Sequence, residues 1–294
     1  MTNTLSLLSE HGCFGGVQRF YQHASRETGL PMRFSVFLPS QQRISEAGGK
    51  VAALLYLAGL TCNEETFMAK AGAQQLAAEL GLALIAPDTS PRGANITGEA
   101  DSWDFGLGAG FYLDAQQQPW SSHYRMESYI TAELMPLLIT ELPLDAERMG
   151  IFGHSMGGHG ALTLALRHPD LFHSVSAFAP ICAPSHCPWG RKAFTGYLGA
   201  DESIWAQHDA TALIKALPVA PYPGGILIDQ GLADKFLPEQ LHPHLFEAAC
   251  ASINQPLELR QHAGYDHGYY FIASFMDDHL RHHARQLEKD PAQL

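Results

Sequence analysis

Gly153-His154-Ser155-Met156-Gly157 constrains the fold of this chain more than any other stretch. It fits the pattern G-x-S-x-G. That pattern is common by itself, and its meaning comes from its flanks. Met149-Gly150-Ile151-Phe152 before it reads as a short apolar strand, and Gly160-Ala161-Leu162-Thr163-Leu164-Ala165-Leu166 after it as a helix-forming run. A sharp strand-to-helix turn lifts a serine hydroxyl out of a sheet at a helix N-terminus, and small residues on either side let the backbone pack around it. Ser155 is therefore a candidate nucleophile, weighed against a plain glycine-rich turn.

Such a turn needs a particular setting, and the rest of the chain supplies it. Apolar, β-prone runs at 34–38, 51–57, 83–86, 149–153, 175–179, 226–230 and 257–261 predict strands. Helical composition or spacing marks 71–79, 124–142 and 269–285 between and after them. This alternation predicts a mostly parallel α/β sheet flanked by helices, with antiparallel strands at the start, from near Gln18. A length of 294 residues permits one domain or two, and no repeat or low-complexity linker divides the chain. The expectation is one domain over residues 1–294. Two connections, about 88–122 and 181–223, are longer than a link requires. Long loops at strand ends usually shape a site, the alternative being surface decoration.

Composition excludes some partners. A formal net charge of −12 argues against nucleic acid and against an anionic membrane surface. The five cysteines are odd in number and scattered, which suits reduced thiols and a cytoplasmic location. Met1-Thr2-Asn3-Thr4-Leu5-Ser6 shows no basic region before an apolar run, and no apolar stretch approaches the roughly 18 residues of a membrane span. Neither a signal peptide nor a span is expected.

A serine hydroxyl becomes a good nucleophile only when a base takes its proton, and the base must be oriented by a third group. After a strand-to-helix elbow the chain order is serine, acid, histidine. The acid belongs just past a later strand. Asp234, in the loop after Ile226-Leu227-Ile228-Asp229-Gln230, fits best, whereas Asp229 lies inside the strand and suits a structural role. His262 and His267 both follow the last predicted strand. Position favours His267, which comes after the turn-forming Gly264-Tyr265-Asp266 and before the closing helix, although the chain has 16 histidines. The developing oxyanion needs two backbone N–H groups. One belongs to Met156, next to the nucleophile. The other belongs to the turn after strand 51–57, where Leu60 is the first candidate and Thr61 the second.

Several separated stretches resemble the S-formylglutathione hydrolases, also called the esterase D family. They are Leu57-Ala58-Gly59-Leu60-Thr61-Cys62-Asn63, Pro87-Asp88-Thr89-Ser90-Pro91-Arg92-Gly93, Asp101-Ser102-Trp103-Asp104-Phe105-Gly106, Gly108-Ala109-Gly110-Phe111-Tyr112, Tyr124-Arg125-Met126, the elbow itself, Gly231-Leu232-Ala233-Asp234-Lys235-Phe236-Leu237 and Gly264-Tyr265-Asp266-His267-Gly268-Tyr269-Tyr270-Phe271. Cys13-Phe14-Gly15-Gly16 also fits. The resemblance covers about residues 10–285. It implies an α/β-hydrolase fold and hydrolysis of S-formylglutathione to glutathione and formate, the step after glutathione-dependent formaldehyde oxidation. It also implies Ser155, Asp234 and His267 as the triad, with His267 rather than His262 as base. Gly268 departs from the serine expected in most relatives, which loosens the start of the last helix without removing the base.

The resemblance places Cys62 near the active site, where a bulky thiol reagent would block access; the alternative is a small buried residue. Trp103 is a candidate wall for a small acyl pocket or, equally, a packing residue. Lys70, Arg92, Arg125 and Lys235 are basic groups available to glutathione's carboxylates, and the sequence assigns none of them. No cofactor or metal is expected. Cys182, His186 and Cys187 lack a fourth zinc ligand at a common spacing. His279, His282 and His283 read as a solvated helix face, and His154 and His159 as packing residues, with His154 pointing away from Ser155. The partner expected is a small thioester, with a homodimer possible by base rate. The competing readings are a broad carboxylesterase, an acyltransferase of related fold, and an inactive binding protein.

Overall fold

The computed structural model describes residues 5–288, so Met1 to Thr4, part of the stretch read for a leader, lie outside the described residues. The strands are β1 (Ser6–Cys13), β2 (Gly16–Ala24), β3 (Pro31–Leu38), β4 (Val51–Leu57), β5 (Ala83–Pro87), β6 (Leu144–His154), β7 (Ser174–Phe178), β8 (Ile226–Gly231) and β9 (Leu257–His262). They form one sheet in the order β1-β2-β3-β5-β4-β6-β7-β8-β9. The first three strands and the β3–β5 pair are antiparallel, and every pair from β5 through β9 is parallel. All seven residues of β4 are buried. A parallel strand covered by helices on both faces carries an unbroken apolar run for this reason.

Three departures from the sequence pattern have local causes. β1 carries no buried face, with Leu7 and Leu8 about half exposed, so nothing in its pattern marks it as a strand. The helix expected at 71–79 begins only at Gln74, and a separate short helix precedes it. Gly72 at φ +70° separates Thr66–Lys70 from Gln74–Leu80, since a left-handed residue cannot continue a right-handed helix. The run at 124–142 is helical over most of its length but widens into a π-helical turn at Tyr129–Leu134. Glu133, in that turn, accepts hydrogen bonds from Ser25 Oγ at 2.6 Å and the Arg26 N–H at 2.8 Å.

The closing helix Tyr269–Gln286 overturns one expectation. His279, His282 and His283 are buried against the sheet, not solvated. A polar chain beneath the helix receives two of them. His279 Nε2 donates to Asp229 Oδ2 at 3.2 Å, and Ser176 Oγ bridges His279 Nδ1 and His283 Nε2 at 2.8 Å each. Ser174 Oγ then donates to His283 Nδ1 at 2.7 Å. Burial lowers all three imidazoles below their ordinary range, His282 to about 4.

This sets the acid limb of stability. As pH falls through the ordinary imidazole value of 6.5, the unfolded chain takes up protons that the folded chain refuses until about 4. Stability is therefore complete above about pH 6.5 and declines below it, by on the order of 3 kcal/mol from His282 alone at pH 4. Urea unfolding should show a midpoint that drops steadily from about pH 7 to about pH 4.5. A level midpoint across that range would mean these rings are not held neutral by the fold.

Among the described residues no helix is long and apolar enough to cross a membrane. The carboxyl ends of β4, β6, β8 and β9 lead directly into the segments holding Leu60, Ser155, Asp234 and His267. In an open parallel sheet this edge is where ligands bind.

Candidate active site

β6 ends at His154, and the helix Met156–Arg167 begins two residues later. Ser155, between them, has φ +59° and ψ −119°, a strained conformation for any residue with a Cβ. Backbone contacts hold it there. Its N–H donates to the Phe178 carbonyl at 3.0 Å, and its carbonyl accepts from His159 at 2.9 Å and Ile181 at 3.2 Å. The flanking glycines are required by close approach. A Cβ on Gly157 would sit 1.9 Å from the Leu57 carbonyl oxygen, and one on Gly153 would sit 2.2 Å from the Gly157 oxygen.

Asp234 lies in the loop after β8 and His267 in the loop after β9. His267 Nδ1 is 2.5 Å from Asp234 Oδ2. A carboxylate can only accept, so Nδ1 carries the proton and Nε2 presents its lone pair. Asp234 is buried and held in turn, with the Phe236 N–H donating to Oδ1 at 2.8 Å and Gln230 Nε2 to Oδ2 at 3.3 Å.

His262 belongs to a different pair. Its Nε2 donates to Asp229 Oδ1 at 3.0 Å, and Arg260 grips the same carboxylate with two bonds of 2.6 Å. Burial by itself would raise Asp229, but the hydrogen bonds from His279, Arg260 and His262 outweigh it and hold the carboxyl below the usual range. Two aspartate–histidine pairs thus leave adjacent strands. One sits beneath the closing helix, and the other opens onto a cavity.

That cavity measures about 140 Å³ and is lined mainly by apolar surface, with Ser155 and His267 on its wall. Leu60 and Cys62 also line it, as does Trp103, which is 54% exposed and packs edge-on against Trp189 at 5.4 Å. Trp103 is therefore a mouth residue and not a core one. Burial pushes the Cys62 thiol up, so it is protonated at neutral pH. Trp189, Phe236 and Tyr269 add aromatic wall; Phe236 and Tyr269 lie within stretches that carry the resemblance, and Trp189 lies outside all of them. His154 lines the cavity as well, which corrects the expectation that it points away. Its ring lies 4.4 Å from that of His267, with Phe236 at 5.0 Å from His267. Burial holds His154 well below the ordinary imidazole range, so its ring stays neutral. His159 is a packing residue whose Nε2 donates to the Phe111 carbonyl at 3.2 Å.

The turn after β4 separates the two N–H candidates. Thr61 donates to the Gly108 carbonyl at 2.9 Å. The Leu60 N–H has no hydrogen-bond partner among the described residues. Met156 opens its helix, where the first N–H groups have no intrahelical acceptor. Its side chain is buried, so only its backbone is available to chemistry. The long connection 88–122 braces this turn, since Tyr112 Oη donates to the Ala58 carbonyl at 2.8 Å. The second long connection supplies Trp189, on the helix Pro188–Tyr197, whose N-cap is Cys187 with its sulfur accepting from Gly190 at 3.4 Å. Both loops therefore build the site.

Residues 25–282 match the family described as "Putative esterase". The chain is 55% identical to an S-formylglutathione hydrolase of Mus musculus over 287 residues, 96% of this chain and 99% of that protein. It is 50% identical to one from Paracoccus denitrificans (strain Pd 1222), covering 98% of this chain and all of that protein. A solved S-formylglutathione hydrolase structure from Agrobacterium tumefaciens superposes with a TM-score of 0.91 at 46% identity, covering 96% of this chain and 99% of that one.

Proposed function

The chain belongs to the S-formylglutathione hydrolase family of esterases, and we propose that Ser155, His267 and Asp234 are the triad with which it cleaves its thioester. It is a serine thioesterase, and its substrate is S-formylglutathione. The observation that carries the site assignment is His267, bonded to the buried Asp234, facing the same cavity as a serine on a strained elbow.

His267 Nε2 takes the Ser155 proton as Oγ attacks the formyl carbon. The carbonyl oxygen becomes an oxyanion that accepts from the Leu60 and Met156 N–H groups. The C–S bond then breaks, and the imidazolium returns its proton to the departing glutathione sulfur. Water, deprotonated by the same nitrogen, attacks formyl-Ser155 and releases formate, restoring the serine hydroxyl. Asp234 keeps the proton on Nδ1 throughout and stabilises the imidazolium. All of these groups leave one sheet, which supports a single catalytic domain. None of the five cysteines forms a disulfide, which suits a reducing compartment.

The size of the cavity bears on acyl preference. A volume of about 140 Å³ suits a small acyl group and leaves room for acetyl as well as formyl. Preference for formyl therefore draws on the higher electrophilicity of a carbonyl bearing hydrogen as well as on fit. Steady-state kinetics should give a kcat/KM for S-formylglutathione about 10-fold or more above that for S-acetylglutathione. A preference for the acetyl thioester, or for a simple aryl acetate over both, would favour a general carboxylesterase.

A further inference from the structure

We propose that Lys70 and Lys235 form a cationic rim that receives the two carboxylates of the glutathione leaving group. The assignment rests on the thioesterase reading above. Glutathione carries two carboxylates and one ammonium, and a chain of net charge −12 repels a net anion unless cations are placed locally.

Of the four basic groups available in the sequence, two are already committed. Arg92 donates to Asp88 through Nε at 2.9 Å and Nη2 at 2.8 Å, and its Nη2 also reaches the Cys62 carbonyl at 3.1 Å. Arg125 pairs with Glu27 at 3.1 Å and approaches Asp114 at 4.0 Å. Lys70 and Lys235 have no carboxylate partner among the described residues. Each instead stands over an aromatic ring of the catalytic cavity. Lys70 Nζ is 5.7 Å from the Tyr269 centroid, and Lys235 Nζ is 4.9 Å from the Phe236 centroid.

Those rings belong to different parts of the wall. Tyr269 lies on the side of Cys62, whose thiol feels the charge of Lys70. Phe236 packs on Trp189 at 4.7 Å and on His267 at 5.0 Å. A ring face attracts an ammonium without neutralising it, so each lysine is held beside a wall residue, one shell outside the cavity lining, with its charge free of a carboxylate. An extended tripeptide spans about 10 Å, which lets its ends reach separate walls while the central thioester lies over Ser155.

Neither lysine touches the reacting atoms, so their effect falls on KM and not on kcat. The test compares S-formylglutathione with the neutral thioester S-formyl-N-acetylcysteamine, using Lys70→Gln, Lys235→Gln and the double variant. For S-formylglutathione we expect KM to rise about 3-fold in each single variant and about 10-fold in the double, with kcat within about twofold of the parent. The ratio of kcat/KM between the charged and neutral thioesters should fall by the same factors. Added salt should raise KM for the charged thioester in the parent and have little effect in the double variant. Lys215→Gln removes equal charge from the helix Ala210–Ala216, none of whose residues lines the cavity, and should leave KM unaltered. An unchanged KM in the double variant, or an equal loss on both thioesters, overturns the rim alone. A parent enzyme that turns over the neutral thioester and not S-formylglutathione overturns the functional reading and the rim with it.

Discussion

Ser155→Ala is expected to lower kcat for S-formylglutathione by at least about 10³-fold while leaving the fold intact. The two outcomes separate because different atoms carry them. The elbow is held by the Ser155 N–H and carbonyl, which bond Phe178, His159 and Ile181 and are unchanged by alanine. Alanine has the same Cβ as serine, so the strain at φ +59° is also unchanged. Only the hydroxyl oxygen is lost, and with it the covalent route. The residual rate comes from binding and from the Leu60 and Met156 donors, which still polarise the carbonyl for attack by water. The measurement is kcat by steady-state turnover beside a thermal unfolding curve. Near-parental turnover with an unaltered unfolding midpoint would remove Ser155 from the mechanism.

Asp234→Asn is expected to cost about 10⁴-fold in kcat, and the direction follows from where the amide must point. The Phe236 N–H donates to Oδ1 at 2.8 Å, so that position must remain an acceptor. The asparagine carbonyl therefore takes the Oδ1 place, and its NH₂ takes the Oδ2 place, facing His267 Nδ1 at 2.5 Å. A donor there forces the histidine proton onto Nε2, the nitrogen that must accept from Ser155. The same NH₂ meets Gln230 Nε2, which donates to Oδ2 at 3.3 Å in the parent. The loss should be partly relieved at high pH, where hydroxide assists attack without the histidine. Activity of Asp234→Asn within about tenfold of the parent would show that the imidazole tautomer is set by another group.

Much of this site was legible because its determinants are local. A strained serine between a strand and a helix needs small neighbours, and Gly153 and Gly157 stand where the backbone leaves no room for a Cβ. The ends of β4, β8 and β9 were visible as apolar runs that stop, and the candidate oxyanion turn, Asp234 and His267 each follow such an end. Position already favoured His267 over His262, and the fold shows why: His262 is the last residue of β9, whereas His267 lies in the loop beyond it. The fold parts them by giving each its own aspartate.

Other features escaped the sequence for definable reasons. His279, His282 and His283 have the spacing of a polar helix face, and their burial depends on Asp229, Ser174 and Ser176 coming from distant strands. Trp189, Phe236 and Tyr269 sit in three separate segments, where an aromatic residue is indistinguishable from a packing residue until the segments converge. The same holds for charge. Lys70, Lys235, Arg92 and Arg125 are equivalent as letters, and only the carboxylates beside them divide the committed from the available.

The sequence by itself determined the α/β class, the order of the chemical groups along the chain, and the family. Hydrophobic period, glycine placement and motif spacing are written in near neighbours. The tertiary structure decided which histidine faces which acid, which N–H is left without a partner, what walls the cavity, and which cations stay unpaired. Each of these depends on the convergence of residues tens to hundreds of positions apart, a property of packing that no local pattern encodes.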